Sequence, residues 1–142
     1  MILGMGNNRV LLVDDDPGIL KLFARILGSA KYGVETVDSG EAALEFLQNN
    51  PVDLVILDLD MPPPDGFEVL RALRTDRPEL KVLVISGYVD GSVLKASELF
   101  GAAASLSKRD APRELLNEVN QLLGRTATAW GFLRASRQSS YL

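Results

Sequence analysis

A chain of 142 residues has room for one domain and little more. With 46% hydrophobic and 24% charged residues, it is too apolar to be disordered over most of its length. It has neither cysteine nor histidine, which excludes disulfides, thiol chemistry, His-ligated metals and a Ser-His-Asp triad. Carboxylates, hydroxyls, Lys and Arg are left to carry any chemistry. No apolar run approaches the roughly 20 residues that span a bilayer. The segment Met1 to Asn8 lacks the cationic region of a signal peptide, so a cytoplasmic location is expected. The formal net charge of −4 is unevenly spread: all 19 acidic residues precede Gly124, whereas Arg125, Arg134 and Arg137 follow it. An acidic body argues against direct binding to nucleic acid.

In chain order, Arg9 to Val13 is a nearly continuous apolar run, as expected of a strand buried on both faces. Asp16-Pro17 then offers a helix cap followed by a proline at the first helical position. Ile19, Leu22, Phe23, Ile26 and Leu27 recur at helical spacing until Gly28 or Lys31-Tyr-Gly33 stops the helix. A short strand is predicted over Val34 to Val37. Ser39 caps a second helix through Gln48, with Ala43, Leu44 and Leu47 inward, and Asn49-Asn-Pro51 breaks it. Asp53 to Asp58 reads as the most apolar strand. Pro62-Pro-Pro-Asp-Gly66 is a stiff loop before a third helix marked by Phe67, Val69, Leu70 and Leu73.

Lys81 to Ile85 is a fourth strand, and a loop around Gly87 to Gly91 leads to a helix with Val93, Leu94, Leu99 and Phe100. Ala103 to Leu106 is a small-residue strand. Pro112 opens a fifth helix carrying Leu115, Leu116, Val119, Leu122 and Leu123, and Gly124 ends it. Residues 8–124 form the expected domain, and 125–142, rich in Ser, Thr and Ala with a lone Trp130, read as a tail or the start of a linker. Strict alternation of strands and helices predicts an α/β fold with a five-stranded parallel sheet, helices on both faces, and a site at the carboxyl ends of the strands.

Polar residues gather at those ends. The first strand runs into Asp14-Asp15-Asp16, the third ends at Asp58 with Asp60 two residues on, the fourth meets Ser86, and the fifth leads to Lys108. Taken alone, each acid reads as a helix cap or a solvated loop residue. Brought together, packed carboxylates raise one another's pKa. A small hard cation such as Mg²⁺ relieves that repulsion. A carboxylate beside such an ion can act as a nucleophile on phosphorus, and Ser86 and Lys108 can then meet the phosphoryl oxygens.

The order and spacing of Leu-Leu-Val-Asp14-Asp15-Asp16, Asp58-Leu-Asp60-Met61-Pro62, Asp65-Gly66-Phe-Glu68, Val-Ile-Ser86-Gly87 and Lys108 resemble the receiver domain of two-component response regulators, the CheY-like fold. The resemblance covers about residues 8–124 and implies strand order 2-1-3-4-5. It implies that Asp58 accepts a phosphoryl group from a sensor histidine kinase or a phosphotransfer protein. It places Asp15 as a direct Mg²⁺ ligand, Asp14 as a ligand through water and Asp60 as a ligand through its backbone carbonyl. Ser86 takes the hydroxyl switch position and Lys108 the phosphate-pairing position. The fourth-helix, fifth-strand and fifth-helix face is then expected to meet a downstream effector, and is also a candidate homodimer surface.

Two positions depart from the family pattern. Arg109 stands where a proline usually follows the lysine, and Ser105 where an aromatic switch residue usually stands. Two other readings are open. Asp58-Leu-Asp60 resembles the Asp-x-Asp signature of haloacid-dehalogenase-type phosphatases, although Met61-Pro62 follows in place of a Thr. A receiver-like module that binds partners without being phosphorylated is compatible with Ser105 and Arg109. Either a single-domain regulator or a piece of a longer protein fits the length.

Overall fold

The computed structural model describes residues 8–87 and 91–125. Ten elements alternate: β1 (Arg9–Val13), α1 (Pro17–Ser29), β2 (Gly33–Val37), α2 (Gly40–Asn49), β3 (Leu54–Asp58), α3 (Gly66–Asp76), β4 (Lys81–Ser86), α4 (Gly91–Leu99), β5 (Ala104–Ser107) and α5 (Ala111–Leu122). All neighbouring strands pair in parallel, in the order β2-β1-β3-β4-β5. The predicted fold class and strand order are those observed.

The apolar runs work because a strand sends alternate side chains to opposite faces. Leu11, Val13, Val55, Leu57, Val82 and Val84 point to one face and pack with Ala43 and Leu47 of α2 and Val69, Leu70 and Leu73 of α3. Val10, Leu12, Leu54, Ile56, Leu83 and Ile85 point to the other and pack with Phe23 and Leu27 of α1 and Leu115 and Val119 of α5. Two dry cores thus clamp β1, β3 and β4 in the middle of the sheet. Their carboxyl ends are held at one level by register pairs such as Val13 with Leu57 and Asp58 with Ile85.

Boundaries differ from the sequence reading by a residue or so. Strand β5 runs Ala104–Ser107 rather than Ala103 to Leu106, and β4 takes in Ser86. Leu22, Leu99 and Phe100 are exposed rather than core, and Phe100 lies just past α4. The cap at Asp16 is as expected: its carboxylate accepts from the Gly18 and Ile19 amides. Helix α3 starts at a capping box in which Asp65 and Glu68 satisfy each other's backbone amides. Among the described residues no helix is long and apolar enough to cross a membrane. Trp130 lies outside the described residues.

Candidate functional site

The carboxyl ends of β1, β3 and β5 bring three of the singled-out acids and the lysine together. Asp14, Asp15 and Asp58 each present a carboxylate oxygen, and these oxygens lie within 4.8 Å of one another. Asp14 and Asp58 are buried, whereas Asp15 is exposed at the rim. Lys108 Nζ sits 3.2 Å from a carboxylate oxygen of Asp14 and 3.2 Å from one of Asp58. One ammonium therefore faces two buried carboxylates, with Asp15 beside them.

Local structure fixes each group. The second Asp14 oxygen accepts the Asp16 amide at 2.9 Å, which locks its carboxylate against the start of α1. Asp58 Oδ1 accepts the Asp60 amide at 2.9 Å. Gly66 is demanded by the approach of α3 to this strand end, because a Cβ there would lie 2.5 Å from the Asp58 carbonyl oxygen. Lys108 is aimed by a tight loop: its amide donates to the Ser86 carbonyl at 2.8 Å, and Ser107 accepts the Asp110 amide through both carbonyl and hydroxyl. The peptide bond before Arg109 is not cis, since among the described residues the cis bond is Pro63–Pro64. Lysine placement here does not need a proline at position 109.

The charge balance is tense. Under Asp14 and Asp58 lies an apolar floor that includes Leu12, Phe23, Ile56 and Ile85. Burial there pushes the Asp58 carboxyl up to about 6; the Asp60 amide opposes the rise, the Asp14 charge adds to it, and Lys108 opposes it. Burial pulls Lys108 down, but the charges of Asp58 and Asp14 outweigh it and hold the ammonium above its ordinary value.

Ser86 is fully buried at the end of β4. Its hydroxyl lies 3.4 and 3.5 Å from the two carboxylate oxygens of Asp60, and the Gly87 amide donates to Asp60 Oδ2 at 2.8 Å. The Asp60 side chain is thus folded across to β4. The Gly87 amide had no role in the sequence reading. Its signal was a glycine placed just past a strand end, where a bare amide can face the crevice.

The donor set fits a hard divalent cation, being oxygen-only, anionic and clustered, with an exposed carboxylate at the mouth. It does not fit a soft or imidazole-bound metal, since the chain has no Cys or His.

Comparison with known proteins bears on this arrangement. The sequence pattern of the family described as the response regulator receiver domain matches residues 10–120. The chain belongs to this family. As a receiver it is 39% identical over 119 residues to the response regulator MprA of Mycobacterium sp. (strain KMS), a match covering 84% of this chain and 52% of MprA. It is 34% identical to the response regulator receiver protein CpdR of Brucella abortus, covering 81% of this chain and 96% of CpdR. The chain thus spans about half of one curated relative and nearly all of another.

Among solved structures, the receiver domain of the Francisella response regulator 1452 superposes with a TM-score of 0.79 at 27% identity, covering 84% of this chain and 99% of that one. The response regulator TrrA of Thermotoga maritima, solved in complex with Mg²⁺ and BeF, gives 0.74 at 31% identity, covering 81% and 98%.

Proposed function

We propose that this receiver takes a phosphoryl group onto Asp58 from a partner sensor histidine kinase or phosphotransfer protein, in the cytoplasm, and so switches a partner-binding surface. The observation that carries the reading is the grouping of Asp14, Asp15 and Asp58 with Lys108 bridging Asp14 and Asp58 at the sheet's carboxyl end. Above pH about 6 Asp58 is chiefly a carboxylate and has an electron pair to offer phosphorus. The bond formed is Asp58 O–P, the bond broken is the donor's N–P, and the leaving imidazole takes a proton from its surroundings. Asp15 and Asp58 directly, Asp14 through water and the Asp60 carbonyl would hold Mg²⁺. The ion, when bound, supplies neutralisation of charge on the reacting oxygens.

Lys108 offers a fixed point charge to the phosphoryl group, and Ser86 and the Gly87 amide offer donors once Asp60 yields them. The same residues serve hydrolysis of the acyl phosphate, so the chain catalyses only its own phosphorylation and dephosphorylation. The switched surface is the α4, β5 and α5 face, available to an effector or to a second copy. On it Ser105 donates to Glu98 Oε2 at 2.6 Å, a link between β5 and α4 at the position where the family resemblance expects an aromatic residue.

The test is incubation with acetyl phosphate and Mg²⁺, read by intact mass, with Asp58→Asn as control. The expected result is a gain of about 80 Da that needs both the ion and Asp58. No adduct, together with no Mg²⁺-dependent amide shifts on adding beryllofluoride, would overturn the reading and favour an unphosphorylated binding module.

A further inference from the structure

Helix α3 carries an unusual face away from the phosphoacceptor crevice. Phe67, Arg71 and Arg74 lie four and then three residues apart, so they share one stripe of the helix, with Thr75 beside them. With Phe100, just past α4, they line a groove of about 340 Å³. The Phe67 and Phe100 rings meet edge to face with centroids 5.9 Å apart. Phe100 remains 57% exposed and its neighbour Leu99 88% exposed, and these are two of the three exposed large hydrophobic residues among those described. Scattered apolar residues need no explanation, but here two aromatic rings join to form the wall of one groove.

The lining of that groove carries two cations, Arg71 and Arg74, and no acid, while Glu68 and Asp76 line the adjoining depression that shares Arg71 and Thr75. Arg71 is exposed and, among the described residues, forms no ion pair. Arg74 donates to the carbonyls of Pro78, Arg77 and Leu80. Those bonds fix its half-buried guanidinium in place, with Nε buried and without a hydrogen-bond partner, and among the described residues Arg74 forms no ion pair. A second copy packed symmetrically through this groove would bring both pairs of Arg71 and Arg74 into one interface with no acid from the groove lining to offset them. The chain's own segment after Arg125 carries Arg134 and Arg137 and no acid, which is the wrong charge for this lining.

We propose that the groove between α3 and the end of α4 is a docking site for a segment of a partner protein that pairs a large apolar side chain with an adjacent carboxylate. The apolar side chain packs onto Phe67 and Phe100, and the carboxylate meets Arg71. Arginine suits that role because its planar fork can grip a carboxylate through two parallel hydrogen bonds. The groove is lined from α3 and from the residue just past α4, with no residue of β5 or α5, and the selection below uses the unphosphorylated chain, so its outcome is distinguishable from that of the chemistry at Asp58.

The test is selection of the full chain against a phage-displayed library of random peptides, followed by affinity measurement on the enriched sequences as synthetic peptides. The expected result is a consensus of Phe, Trp or Leu next to Asp or Glu. Affinity should fall by about tenfold or more with Arg71→Glu and, independently, with Phe100→Ala, while both variants keep the wild-type melting temperature. Replacing the peptide's acid by Lys should restore binding to Arg71→Glu. A consensus without an acid, peptides that bind both variants as well as wild type, or no enrichment at all would overturn the proposal. So would a concentration-dependent dimer in sedimentation that Phe100→Ala abolishes, which would assign the groove to self-association.

Discussion

The two ends of the sheet use the same kinds of residue to opposite effect. At the end where the strands begin, Arg125, Tyr32 and Lys81 each finish on a partner that absorbs the polar group. The Arg125 guanidinium stacks 3.7 Å from the centre of the Tyr32 ring, donates to the Ala30 carbonyl at 2.6 Å and reaches Asn8 Oδ1 at 3.3 Å. The Tyr32 hydroxyl donates to Asn120 on α5. Lys81 Nζ donates to the Leu122 carbonyl in the last turn of α5, where a helix leaves carbonyls without partners and favours positive charge. At the opposite end, Asp14 and Asp58 are buried around a single ammonium with Asp15 at the rim. The first end closes the fold. The second leaves like charges clustered in a way that folding alone does not explain, and a cluster of that kind is suited to binding something that cancels it.

The largest expected effect comes from relieving the tense end. The Asp58 carboxyl is raised from an ordinary 3.8 to about 6, chiefly by burial. A carboxyl raised in the folded state binds its proton more tightly folded than unfolded. Its stabilising share is therefore fully present below pH about 4 and is lost as pH rises through about 6. Asp58→Asn removes a charge that burial penalises, so at pH 8 without Mg²⁺ it should stabilise the protein by about 1–3 kcal/mol. Scanning calorimetry should show a melting temperature higher by roughly 5 °C at pH 8, with the gap closing near pH 4. A gap that does not change with pH would mean that Lys108 compensates Asp58 in full, and the contrast between the two ends would fail.

The quiet end should respond with the opposite sign. Arg125→Ala removes a cation over an aromatic ring and a charge-assisted bond to a carbonyl, a loss of about 1–2 kcal/mol. The loss should be flat between pH 5 and 9, since burial raises the Tyr32 hydroxyl further above its ordinary 10.0 against the pull of Arg125. Labelling by acetyl phosphate should be unchanged. A fall in labelling with intact stability would mean that the clasp communicates with the crevice.

Much of the tense end was legible in the sequence, because it is built from residues that abut strand ends. Asp14, Asp58, Ser86 and Lys108 each follow an apolar run, and parallel strands must deliver those positions to one edge. Asp16 was equally legible as a cap, since Asp-Pro carries its own geometry. The quiet end was not legible. Arg125 lies 93 positions from Tyr32 in a segment that reads as a tail, and nothing local to either residue announces the stacking. The groove on α3 was hidden for a related reason. Phe67 and Phe100 fit a helical core pattern, and only the packing of α4 reveals that Phe100 stays in water. The orientation of Asp60 was also out of reach, because it depends on the distance between the ends of β3 and β4.

That orientation gives the smallest effect and the sharpest reading of the crevice. At rest the Asp60 amide holds Asp58 while the Asp60 carboxylate accepts the Gly87 amide and lies against the Ser86 hydroxyl. An incoming phosphoryl group is an anion with several acceptor oxygens. It meets a like charge at the crevice mouth, and it finds the Gly87 donor already engaged. One unit charge about 6 Å away at the dielectric of water is worth about 0.7 kcal/mol, roughly a threefold change in rate. Asp60→Ala should therefore speed labelling by acetyl phosphate by about threefold. Asp60→Asn separates the two causes, because it removes the charge but keeps an acceptor for Gly87. If both variants gain equally, repulsion is the obstacle. If only Asp60→Ala gains, the obstacle is the engaged amide, and Asp60 acts as a resident stand-in for the phosphoryl oxygens. Slower labelling in both would reverse the assignment and make the carboxylate a helper in the transfer.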